Sequence, residues 1–290
     1  MNAFAGLLLS LCAVQDSEGR YDLTLERHPT EGEQVELEQS REQTMKLVVK
    51  MGEQVLQEQT QSESSSVQAK AKVTQLADGK VVEAVLEVAR AVRTRGGKES
   101  VLGVSGKTVQ AKRQAGGPWE FTADGQPVPA EEAAVLREAM PGGRSDGTPS
   151  GKAIFAPKTP VKPGESWPVD MEKLARSFGE GKLTFDVAKS KGAMTLKTVE
   201  KREGAAFGLI DGDITLLLTA LGPLPLETPL PLRLVPSIDA CIDGQKPDAA
   251  MAMKGTMKGT TQAKPPGAEE ALTLDMDMSV GVRLRMKRIP

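Results

Sequence analysis

Residues 272–286 read L-T-L-D-M-D-M-S-V-G-V-R-L-R-M, and their alternation decides the fold class. Leu272, Leu274, Met276, Met278, Val280, Val282, Leu284 and Met286 fall on one side of an extended chain. Thr273, Asp275, Asp277, Ser279, Arg283 and Arg285 fall on the other. A period of two held this long describes a strand with one face on a core and one in water, the habit of antiparallel sheet.

The same phase recurs upstream in Val35 and Leu37, in Met45, Leu47 and Val49, and in Val67, Ala69, Ala71 and Val73. Tyr21, Leu23 and Leu25 alternate likewise, and H-P-T-E-G-E at 28–33 supplies a turn, so 21–26 and 35–38 are expected to pair. Asp78-Gly79 marks a hairpin whose return strand runs over 80–94. A strand at 107–112 and the turn Asp124-Gly125 follow. Later strands fall at 183–188, 194–200 and 206–219, with Gly192 and Gly204 read as hairpin glycines.

Only two segments change period. Pro129 with Glu131 and Glu132 opens a short helix over 129–137, and Asp170 is placed to cap a second, with Glu172 in its first turn and Gly179 past its end. The expected fold is mainly β: two related halves of curved antiparallel sheet, half-barrel-like, each with one short helix. The halves are 16–140 and 152–290. Between them P-G-G-R-S-D-G-T-P-S-G at 141–151 reads as a linker. One stretch resists the scheme, G-P-L-P-L-E-T-P-L-P-L-R-L-V-P at 222–236, where recurrent prolines argue against a central strand and for an extended arm across an open sheet face.

Residues 4–14, F-A-G-L-L-L-S-L-C-A-V, have the length of a signal-peptide core, so 1–15 is expected to be an export leader and the protein extracytoplasmic, periplasmic or secreted. Cys12 within it invites a lipid anchor, against which bulky Leu11 stands. Cleavage near residue 15 leaves Cys241 alone, so no internal disulfide is expected. No second apolar run is long enough to span a membrane.

Composition narrows the function. With 37 Lys and Arg against 39 Asp and Glu, net −2, and 3% aromatic residues, the chain lacks both the basic footprint and the stacking platforms of a nucleic-acid binder. One histidine, two cysteines and one tyrosine leave little catalytic repertoire, and no cofactor or metal is expected. Gly103-Val104-Ser105-Gly106-Lys107-Thr108 ends like a phosphate loop, but Val101 stands where a glycine is needed and a strand pattern follows in place of a helix. His28 reads as a turn residue with no orienting partner, and Cys241 as a small buried hydrophobe. Asp211 with Asp213, and Asp275 with Asp277, set two carboxylates on one side of a strand; the Asp275 and Asp277 face continues into Arg283 and Arg285, so cross-strand charge pairing on a solvated face is expected there.

The methionines carry more meaning, because alternating thioether side chains make a flexible apolar lining that adapts to its contents. Met251, Met253, Met276 and Met278, with Leu230 and Leu232 of the proline-rich stretch, form the candidate apolar ligand surface. The function expected is non-enzymatic binding of an apolar ligand or an envelope partner. A structural or assembly module of the cell envelope is the alternative, and a hydrolase the third reading.

Pro160-Val161-Lys162-Pro163-Gly164-Glu165-Ser166-Trp167 resembles the central element of a family of uncharacterised exported bacterial proteins. Its members share a leader, an early strand–turn–strand unit like that around Gly32, and strands after the tryptophan. The resemblance implies export and a β-rich fold, and brings no catalytic residues. In architecture, long antiparallel strands with two short helices look like the half-barrels of periplasmic lipoprotein carriers; fold likeness of that kind implies no activity.

Overall fold

The computed structural model describes residues 19–23, 29–114, 117–140, 149, 151–178, 183–265, 267–268 and 270–289. The leader with Cys12, His28, Gly179 and all of the 141–151 segment except residues 149 and 151 lie outside them.

The strands are β1 (Gln34–Met51), β2 (Gln54–Ala77), β3 (Lys80–Arg95), β4 (Lys98–Val101), β5 (Thr108–Lys112), β6 (Glu120–Ala123) and β7 (Gln126–Pro127), then β8 (Ser166–Pro168), β9 (Leu183–Phe185), β10 (Lys191–Arg202), β11 (Ala205–Leu221), β12 (Leu224–Cys241), β13 (Ala249–Ala263) and β14 (Leu272–Arg288). Among the described residues three helices, α1 (Ala130–Ala139), α2 (Gly151–Phe155) and α3 (Met171–Arg176), lie between β7 and β9. Strand makes up 64% and helix 8% of the described residues, so the fold is mainly β as the alternation predicts, although the second half carries two helices where one was expected.

All strands join one open antiparallel sheet in the order β7-β6-β5-β3-β2-β1-β14-β13-β12-β11-β10-β8, with β4 on β3 and β9 on β11. Two meanders are thus sewn together by the first and last long strands, Val35 lying opposite Arg288 and Lys50 opposite Thr273. The outermost strands β7 and β8 are joined in sequence through α1 and α2.

Hairpin chemistry matches its turns. Asp78 and Gly79 have φ of 50° and 72°, both left-handed as a two-residue hairpin loop demands, and Ala77 faces Lys80. Asp124 and Gly125 repeat the arrangement between β6 and β7, and Glu203 and Gly204 between β10 and β11. Gly192, read as a hairpin glycine, sits inside β10 instead, where a Cβ would collide with Ile214 and Met171.

The alternation buries one face in two clusters. Under α1, Leu37, Val67, Leu86, Val88, Val109, Trp119 and Phe121 pack with Val135 and Leu136. Beneath α2 and α3, Met194, Leu196, Ile210, Ile214, Leu216 and Leu218 pack with the leucines of β12, with Trp167, and with Ile154 and Leu174 from the helices. Asp170 caps α3 by accepting the Lys173 N–H at 3.0 Å, whereas Pro129 at the start of α1 has no side chain able to do so.

Two expectations are corrected. The stretch 222–236 forms most of β12, an interior strand between β11 and β13. Its prolines, which lack an N–H, sit where the ladder is interrupted. Pairing with β13 lapses between Leu226 and Leu232, around Pro229 and Pro231, and pairing with β11 skips from Ser237 to Leu234 across Pro236. The Thr261 hydroxyl fills the first gap, accepting from the Thr228 N–H at 3.2 Å and donating to the Thr228 carbonyl at 2.8 Å. Burial of Leu226, Leu230, Leu232 and Leu234 holds the strand in place, so tertiary packing overrides the local proline signal.

The second correction concerns Tyr21, which does not face the Val35 strand. Both sides of β1 are taken by β2 and β14, and Tyr21 bridges Val161 instead, with N–H···O distances of 2.8 and 3.0 Å, while Leu23 enters the C-terminal cluster.

Candidate functional site

Between the two clusters the same face is less well covered. Three cross-strand rows define it: Met45, Met278, Met257 and Leu232; Gln43, Val280, Gly255 and Leu234; Arg41, Val282, Met253 and Pro236. A fourth row continues it with Leu284, Met251 and Ile238. Met45, Met251, Met253, Met278, Val280, Val282 and Leu284 are all half-buried. Gly255 keeps the floor low, because a Cβ there would meet Val280 and Leu234 at 2.7 and 3.0 Å.

The structure therefore divides the six residues singled out from sequence. All lie on the helix-bearing face of the sheet. Leu230, Leu232 and Met276, at 3, 2 and 7% exposure, belong to the C-terminal core. Met251, Met253 and Met278 share the half-buried strip. Val280 and Val282, on the same alternation as Met276 and Met278, join them, as does Met45, which the sequence reading leaves out of the site although it shares their phase.

The strip has a polar flank. In β1 the apolar phase of Val35 and Leu37 turns to Gln39, Arg41 and Gln43 before Met45, a break that is visible in the sequence. A cavity of about 220 Å³ opens there between α1 and the sheet, lined by Arg41, Gln43, Glu63, Arg93, Glu131 and Glu138 among others. Arg41 pairs with Glu138 at 2.5 Å and donates to Gln43 Oε1 at 3.0 Å; Arg93 pairs with Glu63 and, at 3.1 Å, with Glu131. Gln39 is 4% exposed and its Oε1 has no partner among the described residues.

The remaining candidates resolve into structural roles. Gly103–Lys107 forms turns, with Ser105 Oγ donating to the Ala91 carbonyl at 2.9 Å. Asp213 is held by both arms of Arg233 at 2.8 and 2.9 Å, and that guanidinium lowers its pKa. Asp275 pairs with Lys50 of β1 and Asp277 with Lys258 of β13, the cross-strand pairing expected of that face. Cys241 donates its thiol to Asp243 at 2.8 Å; burial, reinforced by that bond, raises its pKa and holds it protonated. Among the described residues no three His, Cys, Asp or Glu side chains are grouped to hold a metal ion, and no helix is long and apolar enough to cross a membrane.

The element at 160–167 is a structural staple. Gly164, at φ 89°, donates to the Leu196 carbonyl, and Glu165 accepts from the Lys162 N–H at 3.0 Å and from Arg20 at 2.9 Å. Trp167 is buried, with its indole N–H donating to the Phe155 carbonyl at 2.7 Å.

No family model matches the chain, and no curated protein matches it. Among solved structures, a LolA superfamily protein from Nitrosomonas europaea aligns over 91% of this chain and 90% of its own at 7% identity. The TM-score is 0.15, a superposition too loose to carry an argument.

Proposed function

We propose that this protein is a non-enzymatic, extracytoplasmic binder of an apolar ligand, which it holds along the methionine and valine strip between the two capped clusters. The observation that carries the reading is the half-burial of Met45, Met251, Met253, Met278, Val280 and Val282 on the helix-bearing face, between two clusters whose apolar side chains are buried. Each methylene that a ligand buries there contributes about 0.8 kcal/mol, and unbranched thioether side chains adapt to chains of differing shape. The extracytoplasmic part of the reading rests on the leader-like run at 4–14.

Titration with a fluorescent hydrophobic probe, run beside thermal unfolding, tests the reading. Met253→Asp should abolish probe binding with little change in melting temperature, because a half-exposed carboxylate keeps water. Met276→Asp should unfold the protein, because a buried unpaired charge is costly. Wild-type protein that binds no probe, or a Met253→Asp variant that loses its fold, overturns the proposal in favour of a filled structural core. The same preparation, expressed in a bacterium, should show by mass spectrometry an N-terminus near residue 15 or 16; intact Met1 in a cytosolic fraction removes the compartment from the reading.

A further inference from the structure

The charged cavity beside α1 and the apolar strip adjoin on one face of the sheet. Arg41 and Gln43, which line the cavity, are the cross-strand neighbours of Val282 and Val280, and beyond β14 come Met253 and Gly255. With strands about 4.8 Å apart, a molecule whose end sits at Arg41 reaches Met253 within about 10 Å. An occupant of the strip therefore has a polar neighbour on one side, and the chemistry of that side bears on its head group.

The cavity wall is rich in acceptors and short of free donors. Arg93 commits Nε and Nη2 to Glu63 and Nη1 to Glu131, while Arg41 commits Nη1 to Glu138 and Nη2 to Gln43 Oε1. Among the described residues no bond reaches the second carboxylate oxygen of Glu63, Glu131 or Glu138. Apart from the hydroxyls of Ser64 and Ser65, which donate or accept, the wall has little left to give. Three carboxylates face two guanidiniums, and Arg95, which approaches Glu63 only to 3.9 Å, does not line the cavity. Two residues before Arg41 on the same face of β1, buried Gln39 adds an amide oxygen without a partner among the described residues. No aromatic side chain is among the lining residues, so a methylated ammonium would find no ring to rest on.

We infer that the cavity selects the head of the apolar ligand and takes a primary ammonium, its N–H donors on the free carboxylate oxygens and its alkyl tail across Val280, Val282 and Met253. The inference rests on the strip holding an apolar chain, and it narrows that chain to the tail of an amphiphilic amine. An ammonium carries three donors and no acceptor, and its bonds to carboxylates are charge-assisted. A carboxylate head would instead compete with Glu63, Glu131 and Glu138 for guanidiniums that are already engaged. The volume of about 220 Å³ leaves room for the head together with water.

Displacement of the fluorescent hydrophobic probe by short amphiphiles, each kept below its micelle concentration, reads the preference. Decylammonium should displace the probe at concentrations roughly tenfold lower than decyltrimethylammonium or decanoate, which share the long apolar tail. Ethylammonium, with the head and almost no tail, should leave the probe bound. Glu131→Gln and Glu138→Gln should each reduce the advantage of decylammonium over decyltrimethylammonium about threefold or more. Glu131 is the more exposed of the two, so its variant keeps the fold even where loss of the Arg41 pair with Glu138 loosens α1. Equal displacement by the three amphiphiles, displacement by ethylammonium, or an advantage that both variants keep overturns the inference and leaves apolar binding standing. A wild type that binds no probe overturns both.

Discussion

In the C-terminal wing the apolar phase runs nearly the length of the strands. β11 buries Ile210, Ile214, Leu216 and Leu218, β12 buries Leu226, Leu230, Leu232 and Leu234, and Met257, Leu274 and Met276 close the cluster. In the N-terminal wing the phase is interrupted. β1 passes from Val35 and Leu37 to Gln39, Arg41 and Gln43, and β2 presents Gln57, Gln59, Gln61 and Glu63 before its apolar run begins at Val67. Where the phase is apolar, helices and loops find a surface to cover. Where it is polar, α1 and the sheet leave a charged cavity between them, and β2 keeps an open edge at 57–61. The thinly covered strip lies along the seam between the two regimes.

The comparison is broken most directly at the two cores. Leu232→Ala should cost about 2–5 kcal/mol and Trp119→Ala about 3–5 kcal/mol, since both side chains are almost wholly buried. Because β1 and β14 pair along nearly their full length, calorimetry of either variant should show one transition moved to lower temperature. Two transitions, each sensitive to only one substitution, would mean that the wings fold separately.

A smaller effect sharpens the contrast between the helices. Asp170→Ala removes the cap of α3 and should cost about 1 kcal/mol by urea denaturation. An unchanged urea midpoint would show that packing of Leu174 alone holds α3, as packing must hold uncapped α1.

The smallest effect is the pH dependence of the staple at 160–167. The Lys162 N–H first, and Arg20 with Lys162's charge after it, lower the Glu165 pKa. A depressed folded-state value means that the contribution is fully present above the ordinary glutamate pKa and is lost as pH falls through the lowered one. Glu165→Gln should therefore flatten the acid limb of urea midpoint against pH, leaving a residual slope from Asp170, Asp213 and Asp275, whose values are also lowered. An unaltered slope would show that Glu165 acts through its neutral hydrogen bonds alone.

What could be read in advance was what neighbours in sequence decide. The alternation at 272–286, the left-handed turn at Asp78-Gly79 and the Asp170 cap each depend on a few adjacent dihedrals and one local bond, so composition and spacing suffice for them. The break in phase at Gln39, Arg41 and Gln43 was equally legible, yet its meaning needed the third dimension, because only the fold brings α1 over those side chains and Met253 and Val282 beside them. The partners of β12, the seam of β1 with β14 and the bridge from Tyr21 to Val161 join residues far apart in the chain. They are chosen by which edges are free and which leucines find cover, a competition among distant surfaces that no local signal records. That is why the prolines of 222–236 point to an arm when read alone and belong to an interior strand when burial of Leu226, Leu230, Leu232 and Leu234 is weighed against a few interrupted ladder bonds.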